Sequence, residues 1–302
     1  MSTHAECFER IVRRIAPGAR LLRQWELTGG VSARVTALEF ARVSGETARL
    51  VVRRYGETDL RRNPNLAADE LRLLHLVRAA GVAAPEPHFA DQSGEIFPTP
   101  FIVVEFVDGT PRDTPADAAD LVDQLARQLA AIHRIDSARH GHDLAFLRPV
   151  EEAVAHTLRP PPASPGDPLE TRMRAALAAG PPARRNPPVL LHGDYWPGNA
   201  LWRDDRLVAI IDWEDAAVGD PLADLANARL ELLWALGEEA MRRFTARYLA
   251  LAASDTTDLP YWDLWAALRP LGRFEAWAAD AVARAAMRER HGWFVEEAFG
   301  RV

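Results

Sequence analysis

Apolar residues recur every three to four positions at Phe8, Ile11, Val12 and Ile15, which predicts a helix over residues 6–16 closed by Pro17-Gly18. The period then shortens to two. After Trp25 the chain passes a Thr28-Gly-Gly-Val-Ser32 turn into strands over residues 34–40 and 48–55, with Ser44-Gly45 between them. In the last of these strands the alternation puts Val51, Arg53 and Tyr55 on one face and Leu50, Val52 and Arg54 on the other, so only one of the two arginines faces any given cleft. Leu66, Leu71, Leu74, Leu76 and Val77 restore the helical period over residues 66–80, with Gly81 as the stop. A hairpin turning at Gln92-Ser-Gly94 and a buried strand over residues 101–107 follow, ending at Asp108-Gly109.

Beyond that point the pattern is helical. Leu121, Val122, Leu125, Leu129 and Ile132 mark a helix over residues 114–135, with Thr114 and Pro115 suited to its first turn. On that helix His133 reads as a packing residue. The proline-rich residues 160–168 and 180–182 read as surface loops. Helices are expected again over 222–236, 238–250 and 262–280, broken at Pro270, and in a last segment reaching residue 299. The expected architecture is α+β in two lobes: residues 1–108 with an antiparallel sheet and a packed helix, and residues 109–302, mostly helical.

Composition narrows the chemistry. A single cysteine, Cys7, excludes an internal disulfide and a cysteine-based zinc site. No apolar run approaches the roughly 20 residues of a membrane helix, and the charges in residues 1–20 leave no apolar leader segment. No membrane partner is expected, and the cytoplasm is the expected compartment. A net charge of −7 argues against nucleic acid as a partner and is compatible with a cationic small molecule. All 36 basic residues in the Lys+Arg count are arginines, so no lysine Schiff base and no Walker P-loop is available.

The chemistry concentrates in Val189-Leu-Leu-His-Gly-Asp-Tyr-Trp-Pro-Gly-Asn199 and in Leu207-Val-Ala-Ile-Ile-Asp212 just after it. Two apolar runs each end near an acid, Asp194 and Asp212, and Asn199 lies between them. A carboxylate, an amide and a second carboxylate in this order suit phosphoryl transfer: Asp194 takes the proton of an attacking hydroxyl, and Asn199 with Asp212 holds Mg²⁺. His192, two residues before Asp194, is grouped with it as catalytic. Two other readings stand beside this one. Asp194 and Asn199 are also turn formers around Pro197-Gly198, and His192, Asp194 and Asp212 could ligate a hydrolytic metal.

These motifs resemble the catalytic loop and metal-binding segment of the aminoglycoside phosphotransferase family, whose members resemble protein kinases and include choline, homoserine and fructosamine kinases. Val218-Gly-Asp-Pro-Leu-Ala-Asp-Leu225 matches the family's continuation, and Asp220 and Asp224 in it are expected to fix the loop through backbone hydrogen bonds. The resemblance implies a protein-kinase-like fold and transfer of a phosphoryl group from ATP, with Mg²⁺, to a hydroxyl of a small molecule. It makes Asp194 the base and Asn199 and Asp212 the metal ligands. Gly29, Gly30 and Ser32 would then cover the phosphates, Arg53 paired to Glu70 would hold them, and the backbone of Glu105 and Val107 would face adenine. Arg53 stands where protein kinases carry lysine, which leaves a nucleotide-binding or scaffold protein with impaired catalysis as the alternative. All nine tryptophans but Trp25 lie at or beyond Trp196. Trp196, Trp213, Trp262 and Trp265, with the acids Asp215, Glu231, Asp263, Glu275 and Asp280, are candidates to line an acceptor pocket, a cationic acceptor among those it would suit.

Overall fold

A computed structural model describes residues 4–27, 33–111, 118–159, 167–179, 185–277 and 280–301, without the side chains of 275–276. The chain divides into two compact units, Met1–Asp108 and Gly109–Val302. The first unit holds an antiparallel five-stranded sheet, and the second is largely helical.

The first unit runs α1 (His4–Ile15), β1 (Arg20–Glu26), β2 (Ala33–Ala41), β3 (Thr47–Tyr55), α2 (Glu57–Arg62), α3 (Leu66–Ala79), β4 (Pro87–Asp91) and β5 (Phe101–Glu105). The strands lie in the order β1-β2-β3-β5-β4, each pair antiparallel. Alternation in β3 decides what each face carries. Leu50 and Val52 join Phe8, Ile11 and Val12 of α1 in one apolar core with Leu38, Phe40, Phe101 and Val103. Each such side chain removed from water contributes roughly 1.5–3 kcal/mol. Arg54 shares that face, and its guanidinium lies 4.6 Å from the centre of the Phe97 ring. Arg53 and Tyr55 point the other way and both meet Glu70 of α3. The expected turn at Gln92-Ser-Gly94 is part of a longer connection, because Pro98 and Pro100 delay β5. Asp91 Oδ1 shapes its start by accepting from the Ser93 amide at 2.8 Å. The strand expected to reach residue 107 ends at Glu105.

The second unit begins with β6 (Thr110–Pro111), α4 (Ala118–Ile132), α5 (Ser137–His140), β7 (Arg148–Pro149), α6 (Val150–Thr157) and α7 (Pro168–Ala178). It continues with β8 (Val189–Leu191), β9 (Ala200–Arg203), β10 (Arg206–Ile210), β11 (Ala217–Gly219), α8 (Leu222–Leu236), α9 (Glu238–Leu251), α10 (Leu259–Leu268), α11 (Phe274–Trp277) and α12 (Ala281–Phe299). The expected caps at Thr114 and Pro115, and the loops at 160–166 and 180–182, lie outside the described residues. The strands form two small sheets, β10-β9-β6 and β7-β11-β8. The first contains the β9–β10 hairpin, whose turn residues, Asp204 and Asp205, have φ of 49° and 60°. Aspartate tolerates that left-handed backbone, and two such residues twist a hairpin correctly. Gln124 of α4 clasps the turn, donating to the Asp205 carbonyl at 2.9 Å and accepting from the Leu207 amide at 2.9 Å.

Helix α8 is buried along most of its length, and its buried polar side chains Asp224, Asn227 and Arg229 are hydrogen-bonded within the protein. Asp263 of α10 is fully buried. It accepts from Arg229 of α8 at 3.0 and 3.2 Å and from Arg301 at 2.8 Å. Among the described residues, no helix is long and apolar enough to cross a membrane.

Candidate active site

The loop from β8 to β9 is held from beneath by one carboxylate. Asp224, in the first turn of α8, accepts from the His192 amide at 2.6 Å and from the Gly193 amide at 2.9 Å. Its Oδ2 also lies 3.2 Å from Nε2 of His133, whose Nδ1 meets the Tyr248 hydroxyl at 2.7 Å. Burial pushes the Asp224 carboxyl up, but the hydrogen bond and charge of His133, with the ring and amide of His192, outweigh it. The net pKa is lowered. His133 is thus a buried packing residue with a defined task.

His192 is fully buried between the Tyr195 and Trp213 rings. Its Nε2 donates to the Ile211 carbonyl at 3.0 Å, and its Nδ1 accepts from the Asp194 amide at 3.3 Å. The tautomer protonated on Nε2 satisfies both contacts. The expectation that His192 works directly in catalysis does not fit this burial, because both ring nitrogens are occupied within the protein. The ring ties the loop carrying Asp194 to the segment carrying Asp212.

Gly193 has φ of +84°, and a Cβ there would lie 1.9 Å from the Asp215 carbonyl oxygen. Gly193→Ala should therefore cost about 2–5 kcal/mol, from a strained backbone and an overpacked contact together. A lower urea midpoint at unchanged slope, with loss of activity, is the expected measurement.

The side chains at the head of the loop are fixed by one another. Asn199, in the short 3₁₀ turn at Pro197–Asn199, donates from Nδ2 to the Asp194 carbonyl at 2.9 Å and to Asp194 Oδ2 at 3.2 Å. Its own carbonyl accepts from the Ile211 amide at 2.9 Å, which anchors the residue next to Asp212. Strand β10 stops at Ile210, and Asp212 adopts a left-handed backbone with φ of 65°.

On the other side of Asp194, Nη2 of Arg269 lies 3.9 Å from Oδ1. Arg269 also donates to Asn227 Oδ1 at 2.7 Å, and Asn227 donates to the Tyr195 carbonyl at 3.3 Å. Burial raises the Asp194 pKa. Arg269 and His192 pull it back, and the carboxylates of Asp215 and Asp212 push it up.

Among the described residues no three His, Cys, Asp or Glu side chains converge as a metal cage. With both ring nitrogens of His192 occupied, the hydrolytic metal reading has lost its nitrogen ligand. Asn199 turns its amide nitrogen toward Asp194, so its oxygen is the end a hard cation would use. One amide oxygen and the Asp212 carboxylate make a small all-oxygen set. It suits an ion that keeps waters and phosphate oxygens in its shell, as Mg²⁺ does.

In the first unit, Arg53 Nη1 meets Glu70 Oε1 at 3.3 Å, with both side chains largely buried, and the Tyr55 hydroxyl donates to the second Glu70 oxygen. The Glu105 amide is engaged with the Glu86 carbonyl at 2.8 Å, and Val107 lies just past the strand. Gly29, Gly30 and Ser32 lie outside the described residues. Of the four tryptophans considered for a pocket, Trp213, Trp262 and Trp265 are buried, and Trp196 alone is exposed, at 38%. Asp263 is a core ion-pair partner, and Asp280 caps α12 through the Ala283 amide. Glu275's side chain is outside the described ones. Arg269 and Asn227 were not legible in the sequence, since neither belongs to a local pattern around the loop.

Comparisons with known proteins agree with this architecture. Residues 26–271 match the model of the phosphotransferase enzyme family, APH. A rat protein, acyl-CoA dehydrogenase family member 11, is 28% identical over 186 residues, covering 55% of this chain and 23% of the relative. The chain therefore spans about a quarter of the length of that relative. Among solved structures, macrolide 2′-phosphotransferase MphH from Brachybacterium faecium superposes with a TM-score of 0.67 at 21% identity, covering 94% of this chain and 97% of that one. The GDP and kanamycin complex of APH(2″)-IIIa gives a TM-score of 0.67 at 18% identity, covering 97% and 96%. At such identities the superpositions establish the fold, and the family model, matching most of the chain, establishes the kinship. The chain belongs to the phosphotransferase enzyme family.

Proposed function

We propose that this protein transfers the γ-phosphoryl group of ATP, with Mg²⁺, to a hydroxyl of a small molecule. The observation that carries the reading is the placement of Asp194, Asn199 and Asp212: the Asn199 side chain donates to Asp194, and the Asn199 carbonyl accepts from the Ile211 amide next to Asp212. Asp194 orients the acceptor hydroxyl and takes its proton. In a loose transition state, orientation is the larger part of that work. Asn199 and Asp212 would hold Mg²⁺, which when bound neutralises charge on the phosphates. His192 and Asp224 hold the loop without touching the acceptor.

Arg53, oriented by Glu70 and Tyr55, supplies the cation for the nucleotide phosphates. Its planar fork can bond a carboxylate and a phosphate at once, which makes it a workable substitute for lysine. The relatives named above are described with GDP and kanamycin or as a macrolide enzyme. Aminoglycoside-like and macrolide-like alcohols therefore belong in the acceptor panel beside hydroxylated amines and sugars.

The test is ADP release over that panel, with Mg²⁺-ATP, together with thermal shifts. Mg²⁺-ATP should raise the melting temperature where Mg²⁺ alone does not. No nucleotide-specific shift and no ADP release would sink the reading. Arg53→Ala should weaken Mg²⁺-ATP binding by roughly 10- to 100-fold, the worth of one charge-assisted contact. Arg53→Lys should recover part of that loss in the same titration.

A further inference from the structure

Arg269 enters the site from far along the chain, at the C-terminal end of α10, and three groups fix it. Its Nη1 donates to Asn227 at 2.7 Å, its guanidinium lies 5.1 Å from the centre of the Trp265 ring, and its Nη2 stands 3.9 Å from Asp194 Oδ1. The same Asn227 holds the Tyr195 carbonyl, so Arg269 and the residue after the base share one anchor. The side chain remains 25% exposed, and that of Asp194 39%. Both are reachable from solvent.

The two oxygens of Asp194 are differently engaged. Oδ2 accepts from Asn199, on the side of the proposed metal ligands. Oδ1 has Arg269 beyond it, at a separation longer than the roughly 2.7–3.2 Å of a direct N–H···O bond. An oxygen atom hydrogen-bonded to both groups would sit off the line joining them, roughly 2.7–3.2 Å from each. Burial and then the Asp194 charge push the Glu231 pKa up to about 8, even against the pull of Arg269.

Resting on the phosphotransfer reading above, we infer that Arg269 contacts the reacting hydroxyl: the acceptor oxygen donates its proton to Asp194 Oδ1 and accepts a hydrogen bond from Arg269 Nη2. In the transfer step the O–H bond breaks and its proton passes to Asp194. The acceptor oxygen forms a bond to the γ-phosphorus, and the bond from that phosphorus to the β,γ-bridging oxygen breaks, releasing ADP. Negative charge on the attacking oxygen rises before the new bond is complete. A fixed guanidinium beside it is stabilising at that moment more than in the ground state. Arg269 is by this account a catalytic residue, and Asn227 and Trp265 position it.

The experiment measures ADP release from Mg²⁺-ATP, with water as sole acceptor and with each member of the panel above. It uses wild type, R269Q, R269K, D194N and the D194N/R269Q double variant, with Mg²⁺-ATP affinity and melting temperature recorded for each. R269Q is expected to lower kcat on the order of 100-fold with nucleotide affinity unchanged. R269K, which keeps the charge and loses the fork, should fall between R269Q and wild type. Because both groups act on one hydroxyl, the double variant should be no slower than D194N alone. Wild-type kcat in R269Q overturns the inference, and so does a double variant slowed by the product of the single effects. A loss in R269Q matched only by a lower melting temperature and not rescued by R269K would make Arg269 a structural residue and equally overturn it. If instead D194N keeps wild-type turnover, or wild type releases no ADP with any acceptor, it is the phosphotransfer reading itself that fails.

Discussion

Asp194→Asn will lower turnover by about 10²- to 10⁴-fold, the range for loss of a positioned general base, while the affinity for Mg²⁺-ATP stays at the wild-type value. The substitution keeps the volume and one acceptor oxygen, so the bond from Asn199 Nδ2 can persist and the loop need not move. What disappears is the charge and the ability to take a proton. The same variant is expected to melt higher than wild type. Burial raises the Asp194 pKa, so the folded state holds that proton more tightly than the unfolded chain does. Stability from such a group is fully present below the unfolded value and is lost as pH rises through the folded one. At neutral pH the ionised side chain is therefore a burden on the fold that asparagine removes. Paired measurements of kcat and melting temperature check both halves, and a variant equal to wild type in turnover would remove Asp194 from the chemistry.

Asp224→Ala should have the largest effect on stability, about 3–5 kcal/mol, as for removing one partner of a buried charged network. The carboxylate is the acceptor for the His192 and Gly193 amides and the partner of the His133 ring, all within the protein interior. Deleting it leaves buried donors without acceptors and frees the base of the β8–β9 loop. That loss is a large share of the roughly 5–15 kcal/mol that holds a typical domain folded. The urea midpoint and the rate of proteolysis in the 192–199 loop should both report it. Asp224→Asn will rescue poorly, because its amino group would point a donor at donors. The pH dependence supplies an independent check. With its pKa lowered in the fold, Asp224 contributes stability above the unfolded value of about 3.9, and that stability is lost as pH falls through the folded value. Wild type should weaken on acidification below about pH 4, and Asp224→Ala should show a flatter profile across that window.

The parts of this molecule that local pattern governs were readable from the sequence. Alternation in β3 separated Arg53 from Arg54 correctly, because side-chain period in a strand is fixed by the backbone. The acids and amide of the β8–β9 loop and the start of the following segment stood out because they lie within a few residues of one another. His192 was misread for the same reason: closeness to Asp194 in sequence suggested chemistry, whereas burial decides that its ring is a tie. Asp263 and Trp265 looked equally able to line a pocket until α10, packed against α8, buried them, while Trp213 is buried against His192. Arg269 left no trace at all. Its place beside Asp194 depends on where α10 ends, and no periodicity near the loop records that.

The Arg53 and Glu70 pair has one more consequence, for chemical biology. In the proposed function Arg53 holds the nucleotide phosphates, and reagents that acylate an amine at such a position would meet a resonance-delocalised guanidinium, a poor nucleophile. Arg53 will not be tagged, and no lysine elsewhere in the chain offers a substitute. Nucleotide occupancy will be better followed by label-free methods or by arginine-selective dicarbonyls, whose attack on Arg53 Mg²⁺-ATP should slow.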